Sequence, residues 1–233
     1  NKVTKKFLNE LKINKIKDLG NLKLVENTYD KQDYINNKLN IQFKKYKTWI
    51  AASTHTNEEV FCAKAHIELK KKNKNLITII IPRHVHRVQD IISQIQKLNL
   101  KVVTHSSKMK TLKNVDIYIV DTFGDSQKFF KISNTVLMGK FLITKGSQNP
   151  LEAVRYGAKI LHGPNFDNFT DIFKLLKSLK ISKRITSIRQ LITEITFKKD
   201  MRRGLKIKKI GVLILKKTLK ELEIYINNEP KKT

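Results

Sequence analysis

The sequence has one cysteine, few aromatic residues and no long apolar run, and each scarcity argues against a class of protein. Because Cys62 stands alone, the chain cannot carry an intramolecular disulfide framework, and we expect a reducing compartment such as the cytosol. No apolar run approaches the roughly 20 residues that cross a bilayer. The lysine-rich residues 1–17 lack the apolar core of a signal peptide. We therefore expect a globular protein, for which a hydrophobic fraction of 40% provides a sizeable core.

Arginine is also scarce, although the formal net charge is +28. Of the 48 basic residues 41 are lysine and 7 are arginine, and asparagine and isoleucine are abundant, a combination typical of A/T-rich codon choice. Nucleic-acid-binding proteins usually cluster arginine and interleave aromatic residues, whereas lysine is spread through this chain and aromatic residues make up 8%. We expect no specific nucleic-acid partner but an attraction to anionic membrane surfaces. A basic module that binds RNA or anionic lipid stays open as an alternative.

Residues 46–182 alternate short β-type runs with helical patterns. The run Leu76–Ile81 is continuously apolar, as in a strand that is buried on both faces. The pattern predicts six strands: Thr48–Ser53, Leu76–Ile81, Lys101–Thr104, Val115–Val120, Thr135–Met138 and Lys159–Leu161. It predicts helices around them: Asn57–Lys72, Val85–Leu98, Asp125–Ile132, Pro150–Tyr156 and Asp167–Leu179. This alternation indicates an α/β fold, a Rossmann-like doubly wound parallel sheet with ligands at the carboxyl ends of the strands.

The two flanks of this region differ from it in composition. Residues 1–45 are rich in lysine and asparagine, with a short helix predicted near Thr4–Leu11 and a turn at Gly20. Beyond Ser182 the pattern is helical to the end, with helices predicted at Ser187–Lys198 and about Lys206–Ile226. The latter helix would either cover the sheet or dock on another domain.

The first two polar clusters follow the first two predicted strands. Ser53, Thr54 and His55 lead into a helix for which Thr56 or Asn57 with Glu59 predicts a capping box, so capping and ligand contact are both open for this cluster. Arg83, next to Pro82, offers a bidentate donor suited to phosphate or carboxylate, unless it pairs with a surface acid. His84 and His86 have the spacing of a metal pair, but no cluster of Cys, Asp or Glu accompanies them, and we expect no metal.

Two further clusters combine glycine with a predicted helix start. Gly124, between Phe123 and Asp125, permits close backbone approach to a ligand at a turn that leads into a helix. Gly146, Ser147, Gln148 and Asn149 precede Pro150, which we expect at the first helical position, with Leu151 after it. Glu152 is placed to accept bonds from ribose hydroxyls or to complement the helix dipole.

In this order the clusters resemble the transferases of 3-deoxy-D-manno-octulosonic acid (Kdo). Six signatures carry the resemblance: Gly20-Asn21-Leu22-Lys23, Ala52-Ser53-Thr54-His55, Pro82-Arg83-His84, Asp121-Thr122-Phe123-Gly124-Asp125, Gly146-Ser147-Gln148-Asn149-Pro150-Leu151-Glu152, and Gly163-Pro164 with Asn168-Phe169. The family implies the GT-B architecture of two Rossmann-like domains, of which the C-terminal one binds the donor CMP-Kdo. The other binds the lipid A precursor, lipid IVA, and supplies the general base. The chain resembles the C-terminal, donor-binding half.

The resemblance also implies roles for single residues. CMP would be bound by Pro82, Arg83, Phe123, Gly124, Asp125, Asn149, Pro150, Leu151 and Glu152. Supporting positions around that set would be Ser53, Thr54, His55, His84, Gly146, Ser147 and Gln148. Lys23 would stabilise the transition state, and the resemblance implies no cofactor and no metal. The sequence departs from the family pattern at Asp125, where Glu is usual, and at Ser147, where a second Gly is usual.

Three segments are expected from the resemblance: residues 1–45 as interdomain linker and the edge of the other domain, 46–182 as the CMP-sugar-binding domain, and 183–233 as helices. Because no segment resembles the acceptor domain or its base, we expect this chain to bind CMP-Kdo or CMP but to transfer nothing by itself. The intact enzyme would act in lipopolysaccharide synthesis, bound peripherally at the cytoplasmic face of the inner membrane of a Gram-negative bacterium. A GT-B enzyme that uses a UDP-sugar is the other alternative.

Overall fold

The computed structural model describes residues 2–13, 16–25, 35–107, 111–140, 142, 148–165 and 169–228. The chain divides into two compact units, one of which joins Asn1–Asp30 to Gly204–Thr233, while the other runs from Lys31 to Arg203. The sheet lies in the second unit. The three predicted segments, divided at residues 45 and 182, stay predictions.

The Lys31–Arg203 unit is built on a seven-stranded sheet in which every pairing is parallel. The strands are β1 Lys47–Thr54, β2 Leu76–Pro82, β3 Val102–Thr104, β4 Ile117–Ile119, β5 Thr135–Met138, β6 Lys159–His162 and β7 Ser182–Arg184. Their order across the sheet is β3-β4-β2-β1-β5-β6-β7. The predicted Rossmann-like α/β fold is thus confirmed.

The residues that the structure describes form nine α-helices. They are α1 Lys2–Glu10, α2 Asn37–Phe43, α3 Glu58–Lys72, α4 Val88–Gln96, α5 Ser126–Phe130, α6 Leu151–Arg155, α7 Thr170–Ser178, α8 Ile188–Glu194 and α9 Arg202–Asn228. Short 3-10 helices occupy Leu22–Leu24 and Val85–Arg87. The second of these continues into α4, so the predicted helix Val85–Leu98 begins with a tighter turn.

The central strands form the core because their sequences are apolar without interruption. All seven residues of β2 are buried, and Trp49 and Ile50 of β1 are fully inaccessible. Strands covered on both faces have no solvent side, which is why β2 shows no polar alternation. Helix α3 packs against β1 and β2 through residues such as Cys62 and Ala63, both 0% exposed. The single cysteine is therefore part of the core.

Two elements differ from the sequence prediction. Strand β7 lies where the chain beyond Ser182 was predicted to be helical, and its register pairs Ser182 with Ile160 and Arg184 with His162. Because Lys183 and Arg184 are exposed, the three-residue strand carries no apolar signal and depends on backbone pairing with β6. Helix α2 lies in the segment that was predicted as linker, where it buries Phe43 against the rings of Tyr118 and Phe129.

The other unit contains α1, the 3-10 helix Leu22–Leu24 and α9 from Gly204 onwards. Gly20 has φ +107° and faces Ile214, and the predicted turn at Gly20 is present. Gly211 lets α9 approach the backbone of Leu24, since a Cβ there would lie 2.3 Å from the Leu24 carbonyl oxygen. Among the helices whose residues are described, none has the length and apolarity that a bilayer crossing requires.

Candidate functional site

The predicted clusters follow four neighbouring strands at the carboxyl edge of the sheet. Strands β4, β2, β1 and β5 are adjacent in that order, and each is followed by one of the polar loops. Strands about 4.8 Å apart place the ends of the first and last of these strands roughly 15 Å from each other. The chain order reverses between β1 and β5, because β2 lies on one side of β1 and β5 on the other. Ligands of open parallel sheets bind in the crevice at such a reversal.

Pro82 and Arg83 end β2 at this edge. Pro82 pairs in register with Thr54, and the Arg83 N–H donates to the Thr54 carbonyl oxygen at 3.0 Å, so the ends of β1 and β2 are held together. The Arg83 side chain is exposed, and within the described part of the chain no carboxylate pairs with its guanidinium. The alternative in which Arg83 pairs with a surface acid is therefore not realised among those residues.

Three imidazoles lie beside Arg83. The ring of His84 is 5.7 Å from that of His55 and 5.6 Å from that of His86. Burial, followed by the charges of nearby cations of which Lys140 is the strongest, lowers the pKa of His55 to about 4. His55 is therefore neutral at physiological pH and adds no charge to the crevice. In the part of the chain that the structure describes, no group of three His, Cys, Asp or Glu side chains is arranged to hold a metal ion.

The start of α3 is organised differently from the predicted capping box. Asn57 is the N-cap residue with φ +71°, and its side chain makes no capping hydrogen bond. Glu58, which the sequence analysis did not single out, accepts from the His55 N–H at 2.9 Å. Glu59 instead forms a bidentate ion pair with Arg87, with distances of 3.1 and 3.2 Å. The predicted capping box of Glu59 with Thr56 or Asn57 is therefore wrong, because the Glu59 carboxylate pairs with Arg87 of the 3-10 helix that follows β2.

In the turn after β4, some residues stabilise the turn by hydrogen bonds and others are exposed to solvent. The Asp125 carboxylate accepts from Thr122 Oγ1 and pairs with Lys128 at 2.6 Å. Burial raises the pKa of Asp125, but the Lys128 and Thr122 hydrogen bonds and the nearby positive charge outweigh it, and the net shift is downward. Phe123 is 85% exposed, and Gly124, at φ +82°, has open space around it. Phe123 and Gly124 are thus accessible to a ligand, whereas Asp125 is already engaged within the turn.

The predicted cluster at the start of α6 is described from Gln148 onwards, and Gly146 and Ser147 lie outside the described residues. The Asn149 Oδ1 accepts from the Leu151 N–H at 3.1 Å. Pro150 is the N-cap residue rather than the first helical residue, so the predicted helix start is early by one position. Leu151 is fully buried, and its side chain belongs to the core.

The side chain of Glu152 is accessible from the solvent. It is partly exposed, and its carboxylate pairs with no cation among the described residues. Because α6 has five residues, its dipole is small, and complementing that dipole accounts poorly for Glu152.

Lys23 lies in the other compact unit, on the 3-10 helix Leu22–Leu24. Its backbone N–H donates to the Asn21 Oδ1 at 3.0 Å, which fixes the start of that helix. The role of Lys23 in stabilising a transition state stays a prediction.

Comparison with known proteins identifies clear relatives, although no family model matches the sequence. The chain is 29% identical over 163 residues to a 3-deoxy-D-manno-octulosonic acid transferase of Haemophilus influenzae, covering 70% of this chain and 38% of the relative. It is 27% identical over 222 residues to the same-named protein of Rickettsia conorii, covering 94% of this chain and 48% of the relative. The chain thus spans less than half the length of these relatives.

A solved structure shares the fold. It is the C-terminal CMP-Kdo binding domain of WaaA from Acinetobacter baumannii, with a TM-score of 0.62 and 19% identity, covering 76% of this chain and 91% of that domain. The match confirms a fold of the kind found in that domain. Together, the sequence comparisons confirm the resemblance to the Kdo transferase family that the motifs predict.

Proposed function

We propose that this chain is the donor-binding part of a glycosyltransferase that transfers Kdo from CMP-Kdo. The observation that carries the proposal is the convergence of four polar loops at the carboxyl edge, where the accessible Arg83 guanidinium has no carboxylate partner within the described residues. The names of the relatives support Kdo as the transferred sugar and CMP-Kdo as the donor. In this assignment CMP spans the loops after β2, β4 and β5.

Each loop has a distinct task in this proposal. Transfer breaks the bond between the anomeric carbon of Kdo and the phosphate oxygen, which leaves CMP with an additional negative charge. Arg83 would donate to that phosphate, and a charge-assisted bidentate contact strengthens as the charge develops. Gly124 leaves room for the nucleotide to approach the backbone, and the exposed Phe123 ring offers a surface for it. Glu152 would accept from the ribose hydroxyls.

Acceptor binding belongs to the intact protein in this proposal. Its acceptor would be a lipid A precursor, lipid IVA. The intact protein would bind peripherally at the cytoplasmic face of the inner membrane. We assign the general base to a domain outside this sequence, since the relatives are about twice as long and no segment here resembles such a domain. Lys23 would stabilise the transition state, and this chain alone would bind the donor without transferring the sugar.

The test is a calorimetric titration of the full chain with CMP, with UMP in parallel. We expect saturable CMP binding that Arg83→Ala weakens by about tenfold or more, because a hydrogen bond to a charged group contributes roughly 1.5–3 kcal/mol. The matched control is Arg189→Ala, since Arg189 is likewise an exposed arginine but lies on α8, outside the strand-end loops.

Three outcomes would contradict the proposal. If CMP binding is not saturable, or if Arg83→Ala and Arg189→Ala have equal effects, the assignment of the phosphate site fails. If UMP binds more tightly than CMP, a UDP-sugar would be the donor, as in the alternative GT-B assignment.

A further inference from the structure

Glu58 carries a carboxylate that lies wholly inside the carboxyl edge of the sheet. The residue is 0% exposed, and within the described ranges it pairs with no cationic side chain. Three backbone N–H groups donate to it instead. Those of His55 and Lys140 reach Oε2 at 2.9 and 3.0 Å, and that of Leu142 reaches Oε1 at 3.0 Å. A buried carboxylate without a counter-ion requires hydrogen bonds of this kind.

These bonds join two loops that are far apart in sequence. His55 follows β1, whereas Lys140 and Leu142 follow β5, and β1 and β5 are the neighbouring strands between which the chain order reverses. Through its side chain, Glu58 thus links the residues that follow β1 to those that follow β5.

The backbone around Glu58 adopts conformations that L-residues rarely take. Ser53, Asn57 and Lys140 have φ values of +55°, +71° and +67°. Gly139 approaches the end of β1 so closely that a Cβ on it would lie 1.9 Å from the Ser53 carbonyl oxygen. Loops of this shape persist only where surrounding contacts determine them, and the Glu58 carboxylate provides three such contacts.

The ionisation of Glu58 also indicates a role other than stability. Burial raises the pKa of Glu58, and the hydrogen bonds from Leu142, His55 and Lys140 offset that effect only in part. A carboxyl group with a raised pKa in the folded state contributes stability that is lost as the pH rises through that pKa. The charged form therefore opposes folding, yet it is the form whose two oxygens accept all three bonds.

We propose that Glu58 is a positioning residue of the donor site, whose carboxylate holds the loop after β1 and the residues Lys140 and Leu142 after β5 in the arrangement that admits CMP. The role rests on the proposed function, because it concerns the crevice in which CMP is proposed to bind. Glu58 would not touch the nucleotide, since the carboxylate is buried beneath the backbone of both loops.

The test compares Glu58→Gln with a control at the opposite edge of the same sheet. Asp116, just before β4, is also a buried carboxylate (6% exposed) that accepts a backbone N–H, that of Lys101 at 2.8 Å. For both variants of the full chain, CMP affinity is measured by calorimetry and the free energy of unfolding by urea titration. We expect Glu58→Gln to raise the CMP dissociation constant by about tenfold or more, because its amide nitrogen cannot accept from a backbone N–H. Asp116→Asn should lose stability and keep the wild-type affinity to within about twofold.

Amide hydrogen exchange gives a second measurement that is independent of CMP. In Glu58→Gln the N–H groups of His55, Lys140 and Leu142 should exchange faster, while those of β2 keep their protection. Should Glu58→Gln unfold under assay conditions, the comparison moves to Asn57→Gly/Glu58→Gln against Asn57→Gly, because glycine accepts φ +71° at no steric cost.

The outcomes separate this role from the proposed function. Wild-type CMP affinity in Glu58→Gln overturns the positioning role and leaves the donor site standing. An equal loss of affinity in Asp116→Asn also overturns it, since affinity would then follow stability alone. If the wild-type chain does not bind CMP, the proposed function fails, and the positioning role fails with it.

Discussion

Single buried polar residues give the two edges of the sheet different properties. At the amino edge, His66 is 0% exposed, its Nδ1 lies 2.9 Å from Thr78 Oγ1, and its Nε2 lies 3.5 Å from the Asp116 carboxylate, which also pairs with Lys70. At the carboxyl edge, the hydrogen bonds that Glu58 makes within the described residues come from the backbone N–H groups of His55, Lys140 and Leu142. The first arrangement joins side chains inside the core, whereas the second joins a side chain to the backbone after two neighbouring strands.

Because His66 is buried, we expect the protein to lose stability in mild acid. Burial, with the nearby Lys70 charge, lowers the pKa of His66 from its ordinary value of 6.5 to about 4. As the pH falls below 6.5, the unfolded chain binds a proton that the folded protein does not accept until about pH 4, so stability is lost over that interval. We expect His66 to account for a loss of about 2 kcal/mol in unfolding free energy between about pH 7 and 5.

Urea unfolding at several pH values checks this prediction. The loss attributed to His66 should be absent from His66→Gln, which keeps a polar group next to Thr78 but does not titrate. The other histidines are present in both proteins and cancel in the comparison. Parallel pH profiles of the two proteins would show that folding does not shift the pKa of His66, contrary to this assignment.

At the residue scale, the sequence predicts where exposed groups follow the strand ends better than it predicts which contacts hold the loops. Arg83 and Phe123 could be selected because each follows a predicted strand. Glu58 and Glu59 are adjacent acids at a helix start, where acids are common for reasons of the helix dipole. Their different partners, backbone N–H groups for Glu58 and Arg87 for Glu59, depend on loops that meet only in the folded chain.

At the scale of elements, strands with a strong apolar signal were predictable and weakly patterned ones were not. The predicted Thr135–Met138 matches β5 residue for residue, and β2 extends its prediction by one residue to Pro82. The three-residue β7 was not predicted because it becomes a strand through pairing with β6 and not through a pattern in its own sequence. Helix α2 was not predicted because its sequence is rich in lysine and asparagine and its buried face is marked by Phe43 alone among the residues of the helix.

Replacing a glycine by alanine should destabilise the protein at Gly139 and at Gly124, but for different physical reasons. In Gly139→Ala the new Cβ would meet the Ser53 backbone at 1.9 Å, so the strand ends must move apart, with an overpacking cost of roughly 1–3 kcal/mol. In Gly124→Ala no atom lies within 4 Å of the new Cβ, and the cost is the positive φ alone, about 1 kcal/mol. Urea unfolding of both variants measures the two costs.

Hydrogen exchange distinguishes the causes as well as the magnitudes. Gly139→Ala should speed exchange at residues 53–55, because the Cβ separates the ends of β1 and β5, whereas Gly124→Ala should leave those amides unchanged. If Gly139→Ala costs no more than Gly124→Ala and leaves that exchange unaltered, the close approach of β5 to Ser53 is not a constraint on the fold.

At the scale of the whole molecule, the net charge of +28 attracts any anion, whereas the proposed site would bind one nucleotide. Lysines occur along the entire chain, so their field attracts polyanions without selecting among them. The nucleotide site depends on a few groups at one edge of the sheet, of which Arg83 carries the charge assigned to phosphate. The two kinds of binding should therefore respond differently to salt.

Raising the salt concentration from about 50 to about 300 mM should weaken binding of a single-stranded oligonucleotide by several orders of magnitude, because each neutralised phosphate releases counterions. CMP affinity should fall by less than about tenfold over the same range, since one phosphate is involved. Fluorescence anisotropy for the oligonucleotide and calorimetry for CMP measure both slopes on the full chain, with Arg83→Ala as the matched variant. Arg83→Ala should weaken CMP binding. For the oligonucleotide, it should change the slope of log affinity against log salt concentration by the equivalent of one charge at most. An oligonucleotide that binds with sequence preference at high salt and displaces CMP would instead make the basic surface a dedicated RNA-binding site, because diffuse lysine attraction can produce neither selectivity nor resistance to salt.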